Sequence, residues 1–342
     1  MTSSDQVMTV LGAVAADSIG FTLMHEHVLC DLTMPGMRGS NAPESEITLE
    51  TVWDIDYRPN DHLGNHRLTG RELALKEMRM LKAAGGGTVV DMTTGGISPD
   101  PEGLVMLARG SGVNIVLGAG FYVDAYLDED TRTRDVGWLT TTIEAQLREG
   151  AWGSRVRCGL IGEVGCSWPL TPFERRSLTA AGQAARRTGA AINVHPGRNP
   201  DGPHEILDIL LAAGADPARI VISHIDRTYF DYPSIKALAA RGCVVEFDFF
   251  GLETSNYWMG VADLPTDWMR LRYVRQLVAD GFLDRILLSQ DICTRTRMKQ
   301  LGGHGYGHLF ANIVPMMRQR GFSEAEITRL LVETPRRLLV WA

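Results

Sequence analysis

The sequence predicts an α/β fold in which eight parallel strands and their crossover helices close as a (β/α)8 TIM barrel, and three observations predict it. Short apolar runs rich in Val and Ile alternate with amphipathic stretches from about residue 20 to the C-terminal end, the pattern of successive βα units. Eight such runs can be counted, the number that closes a barrel. His, Asp and Glu recur at the ends of those runs, on the rim where barrel enzymes place their chemistry.

In chain order the strands are expected near 21–25, 87–91, 114–118, 158–163, 190–195, 219–224, 243–247 and 286–290. The stretch 70–84 carries Leu73, Leu75, Met78 and Leu81 near helical spacing, and 172–188, 203–213, 232–241 and 267–281 read as further helices. Gly85, Gly86, Gly87 and Gly242 stand where a helix must stop and a strand begin. Long connections at 31–69, 249–266 and 292–306 follow the first, seventh and eighth strands, and long βα connections are where barrels bind substrate. No repeat beyond the βα period and no Pro- or Ser-rich linker divides the chain, so residues 1–342 are expected to form one domain. That length is within the roughly 200 to over 400 residues of a single barrel.

Composition removes several classes of function. With 34 Lys plus Arg against 41 Asp plus Glu, the formal charge is −7, whereas a dedicated nucleic-acid binder needs a basic face for phosphate. Hydrophobic residues at 44% and charged residues at 22% match a folded domain and exclude a disordered one. No run reaches about 18 uninterrupted apolar residues, so no membrane span is expected. The opening Met-Thr-Ser-Ser-Asp-Gln lacks the basic and apolar regions of a signal peptide. Cys30, Cys158, Cys166, Cys243 and Cys293 are odd in number and too scattered for a C-x-x-C pair, which fits a reduced, cytoplasmic protein.

The ligand-type residues carry the chemistry. His25 and His27 close the first expected strand, Glu163 the fourth, His195 the fifth and His224 the sixth, and Asp291 follows the eighth. Side chains two apart on a strand point the same way, so His25 and His27 can aim both imidazoles at one metal while Glu26 points away. The His-Glu-His triplet alone is a modest signal: nine histidines in 342 residues give an H-x-H by chance in about one such chain in four or five. A single histidine of this kind is ordinarily a hydrogen-bonded strand-end residue. Four histidines and two carboxylates on one rim are another matter, because clustered acids and neutral imidazoles are costly to desolvate without a cation. Imidazole with carboxylate suits Zn, Mn, Co or Fe rather than Ca. Such a set suffices for two divalent transition metals if one carboxylate bridges them, and paired metals about 3.5–4 Å apart lower the pKa of a shared water toward neutrality. Asp291 could ligate one metal, accept the proton of that water and pass it to the leaving group. A metal-dependent hydrolase is the natural outcome.

At these residues the sequence resembles the phosphotriesterase family of the amidohydrolase superfamily. The likeness runs almost the full length, through Gly20 to His27, Gly118 to Tyr122, Gly162 to Gly165, Asn193 to Gly197, Ser223 to Arg227 and Ser289 to Asp291. It continues in the tail, Gly305 to His308 and Glu333 to Leu338. The resemblance implies a distorted, amidohydrolase-like barrel with a binuclear centre: His25, His27 and Asp291 on the more buried metal, and His195 and His224 on the exposed one. The founding phosphotriesterases bridge their metals with a carboxylated lysine, and Glu163 fills that place here, as in the phosphotriesterase-related branch that includes proteins labelled resiniferatoxin-binding. Zn is the metal expected, with Mn, Co or Fe as alternatives, and a homodimer is implied by family analogy alone.

The function expected on these grounds is a hydrolase that uses a metal-bridging hydroxide to open a lactone, ester or amide carbonyl of a small molecule. An organophosphate triester hydrolase and a non-catalytic ligand-binding protein on the same scaffold are the alternatives. Tyr122 is expected to hydrogen-bond a carbonyl or the hydroxide, or else to pack against the histidines. Arg227 is expected either to pair with an anionic substrate group or to form a salt bridge with Asp226 or Asp248. Tyr257 and Trp258, with Arg295 and Arg297, are candidates for the pocket wall, although a solvated loop is the plainer expectation for each arginine. His304 and His308 are assigned structural work behind the ligands, and His62, His66 and His204 are expected to be exposed. Cys30 and Cys293 lie near ligand residues, with no evident base to make either a nucleophile.

Overall fold

The computed structural model describes residues 5–37, 45–254 and 263–341. Its centre is an eight-stranded sheet whose strands are β1 (Phe21–Glu26), β2 (Gly86–Asp91), β3 (Asn114–Ala119), β4 (Leu160–Gly165), β5 (Ile192–His195), β6 (Ile220–Ile222), β7 (Val244–Phe247) and β8 (Ile286–Leu288). Each is parallel to its neighbour, in chain order from β1 to β8. The sheet is nearly closed, and its seam is made by single bonds rather than a regular ladder. Ser289 Oγ accepts from His25 N at 2.9 Å and lies 2.9 Å from His25 O, and Asp291 N donates to His25 O at 3.1 Å.

The crossover helices surround the barrel: α1 (Arg71–Ala83), α2 (Pro101–Ser111), α3 (Val136–Arg148), α4 (Pro172–Thr188), α5 (Gly202–Ala212), α6 (Tyr232–Ala239) and α7 (Asp267–Ala279). Helix α4 shows how the sequence sets such an element. Thr171 and Glu174 cap each other's backbone N–H groups, Pro172 occupies the first turn, and Gly189 ends the helix at φ 80°. Its apolar face, which includes Phe173, Leu178 and Ala181, is buried toward the strands. Helices α2 and α3 complete the βα pattern although periodicity did not single them out. Among the described residues no helix is long and apolar enough to cross a membrane.

Two apolar layers hold these elements together. Met24, Val90, Val116, Val221, Val244 and Leu287 fill the barrel interior, all fully buried, while Leu23, Val89, Ile115 and Val245 face the helices. A hairpin that the sequence reading did not anticipate, Gln6–Thr9 with Gly12–Ala15, lies at the bottom beside Val340. Arg219 fastens the chain end there by donating to the carbonyls of Arg337, Leu338 and Val340.

Strand alternation would place His25 and Glu163 outside the barrel, because Met24 and Leu160 already point in. Both strands are irregular at that point. Leu23 pairs with Val89 and Glu26 with Asp91, so β1 advances three residues against two of β2. Likewise Ile161 pairs with Ile192 and Val164 with Val194, so β4 advances three against two of β5. An extra residue of this kind re-aims the side chains that follow it. It also corrects the expected strand 158–163: Glu163 lies within β4, and the strand runs on to Gly165.

The bulge on β4 brings its backbone against β3. A Cβ on Gly118 would lie 1.7 Å from Gly162 O, a backbone atom that cannot swing aside. Gly118→Ala should therefore destabilise the fold by about 3 kcal/mol or more, at the upper end of overpacking costs. Denaturant unfolding measures this, and an unchanged midpoint would refute the tight β3–β4 contact.

Candidate metal centre

Six side chains meet at the C-terminal mouth of the barrel, and each is placed by a local device. The β1 bulge turns His25 inward and leaves His27 just past the strand end. Glu26 points away, its carboxylate accepting from Ser289 Oγ, Gln290 N and Ile292 N at 2.8–2.9 Å. His224 and Asp291 both adopt left-handed backbone, φ 54° and 45°, which is rare outside glycine and persists only where surroundings enforce it. For His224 the enforcer is Asp248, which accepts from its backbone N at 3.0 Å and its Nδ1 at 2.9 Å. For Asp291 it is the seam bond to His25 and a bond from Arg297 Nη1 to its carbonyl.

Glu163 is the hub. Its Oε2 lies 3.3 Å from His25 Nε2, 3.1 Å from His195 Nδ1 and 3.4 Å from His224 Nε2, while Oε1 lies 3.3 Å from His27 Nε2. Asp291 Oδ1 is 3.8 Å from His25 Nε2 and 3.6 Å from His27 Nε2. Two ligand triads share Glu163, His25/His27/Glu163 and Glu163/His195/His224, and a third group, His25/His224/Asp248, lies beside them; ligand atoms in each are within 4.8 Å of one another and every residue is buried.

The hydrogen-bond pattern favours a positive charge at this point. Asp248 can only accept, so His224 Nδ1 carries a hydrogen, and Nε2 faces His195 Nδ1 at 3.0 Å and Glu163 Oε2 at 3.4 Å. His25 Nε2 is fully buried with no hydrogen-bond partner. Lone pairs gathered about a buried carboxylate repel one another unless cations lie between them, so the donor set fits a pair of divalent cations. The protonation tendencies follow the same crowding. Burial would push the Glu163 carboxyl up, but the charges of His195 and His25 draw it well below the usual carboxylate range. Burial disfavours His25 protonation, yet Glu163 holds that ring well above its ordinary value. For His195 burial prevails and its pKa falls well below normal.

A cavity of about 100 Å³ opens over the cluster, lined by Tyr122, Arg198, Arg227, Phe249 and Arg297 among others. Tyr122 is buried with its hydroxyl 3.5 Å from His195 Nδ1 and its ring edge-on to that imidazole, the packing against the histidines that was one of the two expectations for it. Arg227 Nη2 donates to Pro196 O at 2.9 Å and lies 3.2 Å from His195 Nε2. The two acids proposed as its partners are engaged elsewhere, Asp226 by Arg270 and Asp248 by His224. Arg297 is buried on the cavity wall, contrary to the solvated loop expected, and Arg295 lines a separate cleft. Trp258 and Tyr257 lie outside the described residues.

His62 and His66 are buried rather than exposed, at 5% and 6%. The described parts of the connection, 31–37 and 45–69, fold over the barrel mouth, where Asn65 Oδ1 accepts from Thr296 N and Asp56 Oδ1 from Thr296 Oγ1. His66 thereby lines the cavity, and His204 is half-buried against Arg241. His308 bonds Asp267 at 2.8 Å, away from the cluster, as its structural assignment required. Cys293 lies 3.9 Å from Asp291 Oδ2, and burial pushes its thiol up to about 12. Sequence reasoning passed over Asn193, Glu246 and Asp248 as histidine supports. The available signal was two acids in Glu246-Phe247-Asp248, at the end of a strand otherwise read as apolar.

Comparison with known proteins gives a consistent result. The family model described as the phosphotriesterase family matches residues 5–339. An N-acetyltaurine hydrolase of Xenopus tropicalis is 40% identical over 344 residues, covering 99% of both chains. Among solved structures, a resiniferatoxin-binding protein from Rhodobacter sphaeroides superposes with a TM-score of 0.92 at 32% identity, covering 98% of this chain and 95% of that one. A phosphotriesterase-like lactonase variant from Deinococcus radiodurans gives 0.77 at 28% identity, covering 97% and 99%.

One cavity wall depends on a buried cation. Arg270, fully buried, donates to Asp226 at 2.9 Å, Asp267 at 2.7 Å and the carbonyl of Leu252. Asp226 in turn accepts from Phe249 N, and the Phe249 ring lies 5.6 Å from that of His224. Arg270→Met would leave Asp226 and Asp267 buried without their cation, which costs about 3–5 kcal/mol. Calorimetric unfolding should show that loss, and a change below about 1 kcal/mol would mean that the network does not hold the wall.

Proposed function

This chain belongs to the phosphotriesterase family of hydrolases, and from that premise we propose that it hydrolyses the amide of a small N-acyl compound bearing an anionic group. His25, His27, Glu163, His195, His224 and Asp291 would hold two divalent transition metals, Zn first and Mn, Co or Fe otherwise, with Glu163 shared between them. The observation that carries this reading is the unpartnered His25 Nε2 facing a carboxylate that four imidazoles surround.

When bound, the cations would supply Lewis acidity and a water of lowered pKa. The chain's own residues do the rest. The Asp291 carboxylate, anchored by its backbone beside His25, accepts the proton of the attacking water and returns it to the departing amine nitrogen. Tyr122 presents its hydroxyl to the acyl oxygen. Burial and the Glu163 carboxylate raise its pKa well above the phenol value, which keeps it a donor. Arg198, Arg227 and Arg297 favour an anionic tail, and Phe249 and Leu32 exclude water from the acyl side.

The substrate class is supported by the relative named N-acetyltaurine hydrolase, whose likeness spans nearly the whole chain, and by a cavity sized for a small acyl group. Lactone opening is the second reading, favoured by the structural likeness to a lactonase. We read the chain as one domain over residues 1–342 and as a cytoplasmic homodimer. The compartment is supported by five free cysteines, and the dimer by family resemblance only.

Protein purified without chelators should contain about two transition-metal equivalents and cleave N-acetyltaurine faster than lactones, aryl esters or paraoxon. Asp291→Asn should lower kcat by about 100- to 10,000-fold with the fold intact by circular dichroism. Full activity in metal-free protein, or in Asp291→Asn, would overturn the reading.

A further inference from the structure

Glu246 has no role in the chemistry above, yet it is a carboxylate in the barrel interior at 0% exposure. Burying a charge there is expensive unless something uses it. Among the described residues, the single cation-forming group within salt-bridge reach is His25, whose Nδ1 is 3.5 Å from Glu246 Oε2. That nitrogen is on the opposite edge of the ring from the metal cluster.

Two contacts tie the acid to the histidine, and a third anchors the acid. Asn193 Nδ2 donates to Glu246 Oε2 at 2.7 Å, Ser223 Oγ lies 3.0 Å from the same oxygen, and His25 Nδ1 lies 3.1 Å from Ser223 Oγ. The serine hydroxyl has one proton to give, to Glu246 Oε2 or to Asn193 Oδ1 at 2.6 Å. In either case it must accept from His25, so Nδ1 carries the hydrogen and Nε2 presents its lone pair to the cluster. Glu163 and Asp291, 3.3 and 3.8 Å from that lone pair, would otherwise favour a hydrogen on Nε2 and close the nitrogen to a cation.

The ligand sets then share a design. His224 has Asp248 directly behind it at 2.9 Å, His25 has Glu246 behind it through Ser223 with Asp248 Oδ2 3.6 Å from the same Nδ1, and His27 has the neutral hydroxyl of Thr93 at 3.1 Å. Each triad thus contains one histidine backed by a carboxylate, and such backing raises ligand basicity and fixes ring orientation. We propose that Glu246 is a positioning residue which, through Ser223, locks His25 in its metal-accepting tautomer and sets the affinity of the deeper cation site. The proposal rests on the two-cation reading above.

Chelator-treated full-length protein, titrated with Co(II) against a competing chelator, tests it in the wild type, Glu246→Gln and Ser223→Ala. The visible absorption of each bound equivalent reports its site. In both variants one site should weaken by about 10- to 100-fold, the other should shift by less than about threefold, and the thermal midpoint of the apoprotein should match wild type. Unchanged affinity at both sites in both variants overturns the proposal while leaving the two-cation reading in place. Apoproteins that melt well below wild type would make Glu246 a packing residue and also overturn it. A wild type that binds no Co(II) removes the two-cation reading itself, and the proposal with it.

Discussion

Everything at the mouth of this barrel answers to one electrostatic constraint: four imidazoles and the Asp291 carboxylate are buried around Glu163 with their ligand atoms turned toward one another. Without cations that arrangement is unfavourable, and a chain free to relax would turn the rings away. This chain prevents relaxation. The register irregularities on β1 and β4 commit His25 and Glu163 to the interior. Left-handed backbone at His224 and Asp291 is held by bonds on several sides, as strained residues at functional sites must be.

The supporting layers can be ranked by what they touch. Asp248 holds both the backbone and the ring of His224, so its loss would move a ligand outright. Glu246 reaches His25 through the Ser223 hydroxyl, on the ring edge opposite Glu163. Arg270 is further out, joining Asp226, Asp267 and the Leu252 carbonyl, and it fixes the wall that carries Phe249. The gradation runs from metal affinity to cavity shape.

Much of this was legible in the sequence because the barrel maps strand ends onto one rim. Runs rich in Val and Ile placed every barrel strand within a few residues, and with them all six ligand candidates. Register was not legible. An extra residue in β1 or β4 leaves no mark in composition, so Glu163 was expected to end its strand rather than sit within it. Glu246 and Asp248 escaped notice as supports because they follow a Val-Val pair that reads as an ordinary buried strand. His62 and His66 were misjudged because polar segments normally stay in solvent. Here polar groups of the described residues 45–69 bond one another and the loop after β8, which lets that stretch fold over the mouth.

The central claim is that one shared carboxylate joins two cations, and anomalous diffraction from crystals of the metal-loaded protein tests it most directly. Data at the metal absorption edge should show two peaks about 3.5–4 Å apart, one on each side of the Glu163 carboxylate, with His25 and His27 at one and His195 and His224 at the other. A single peak, or a pair that Glu163 does not touch, would contradict the account.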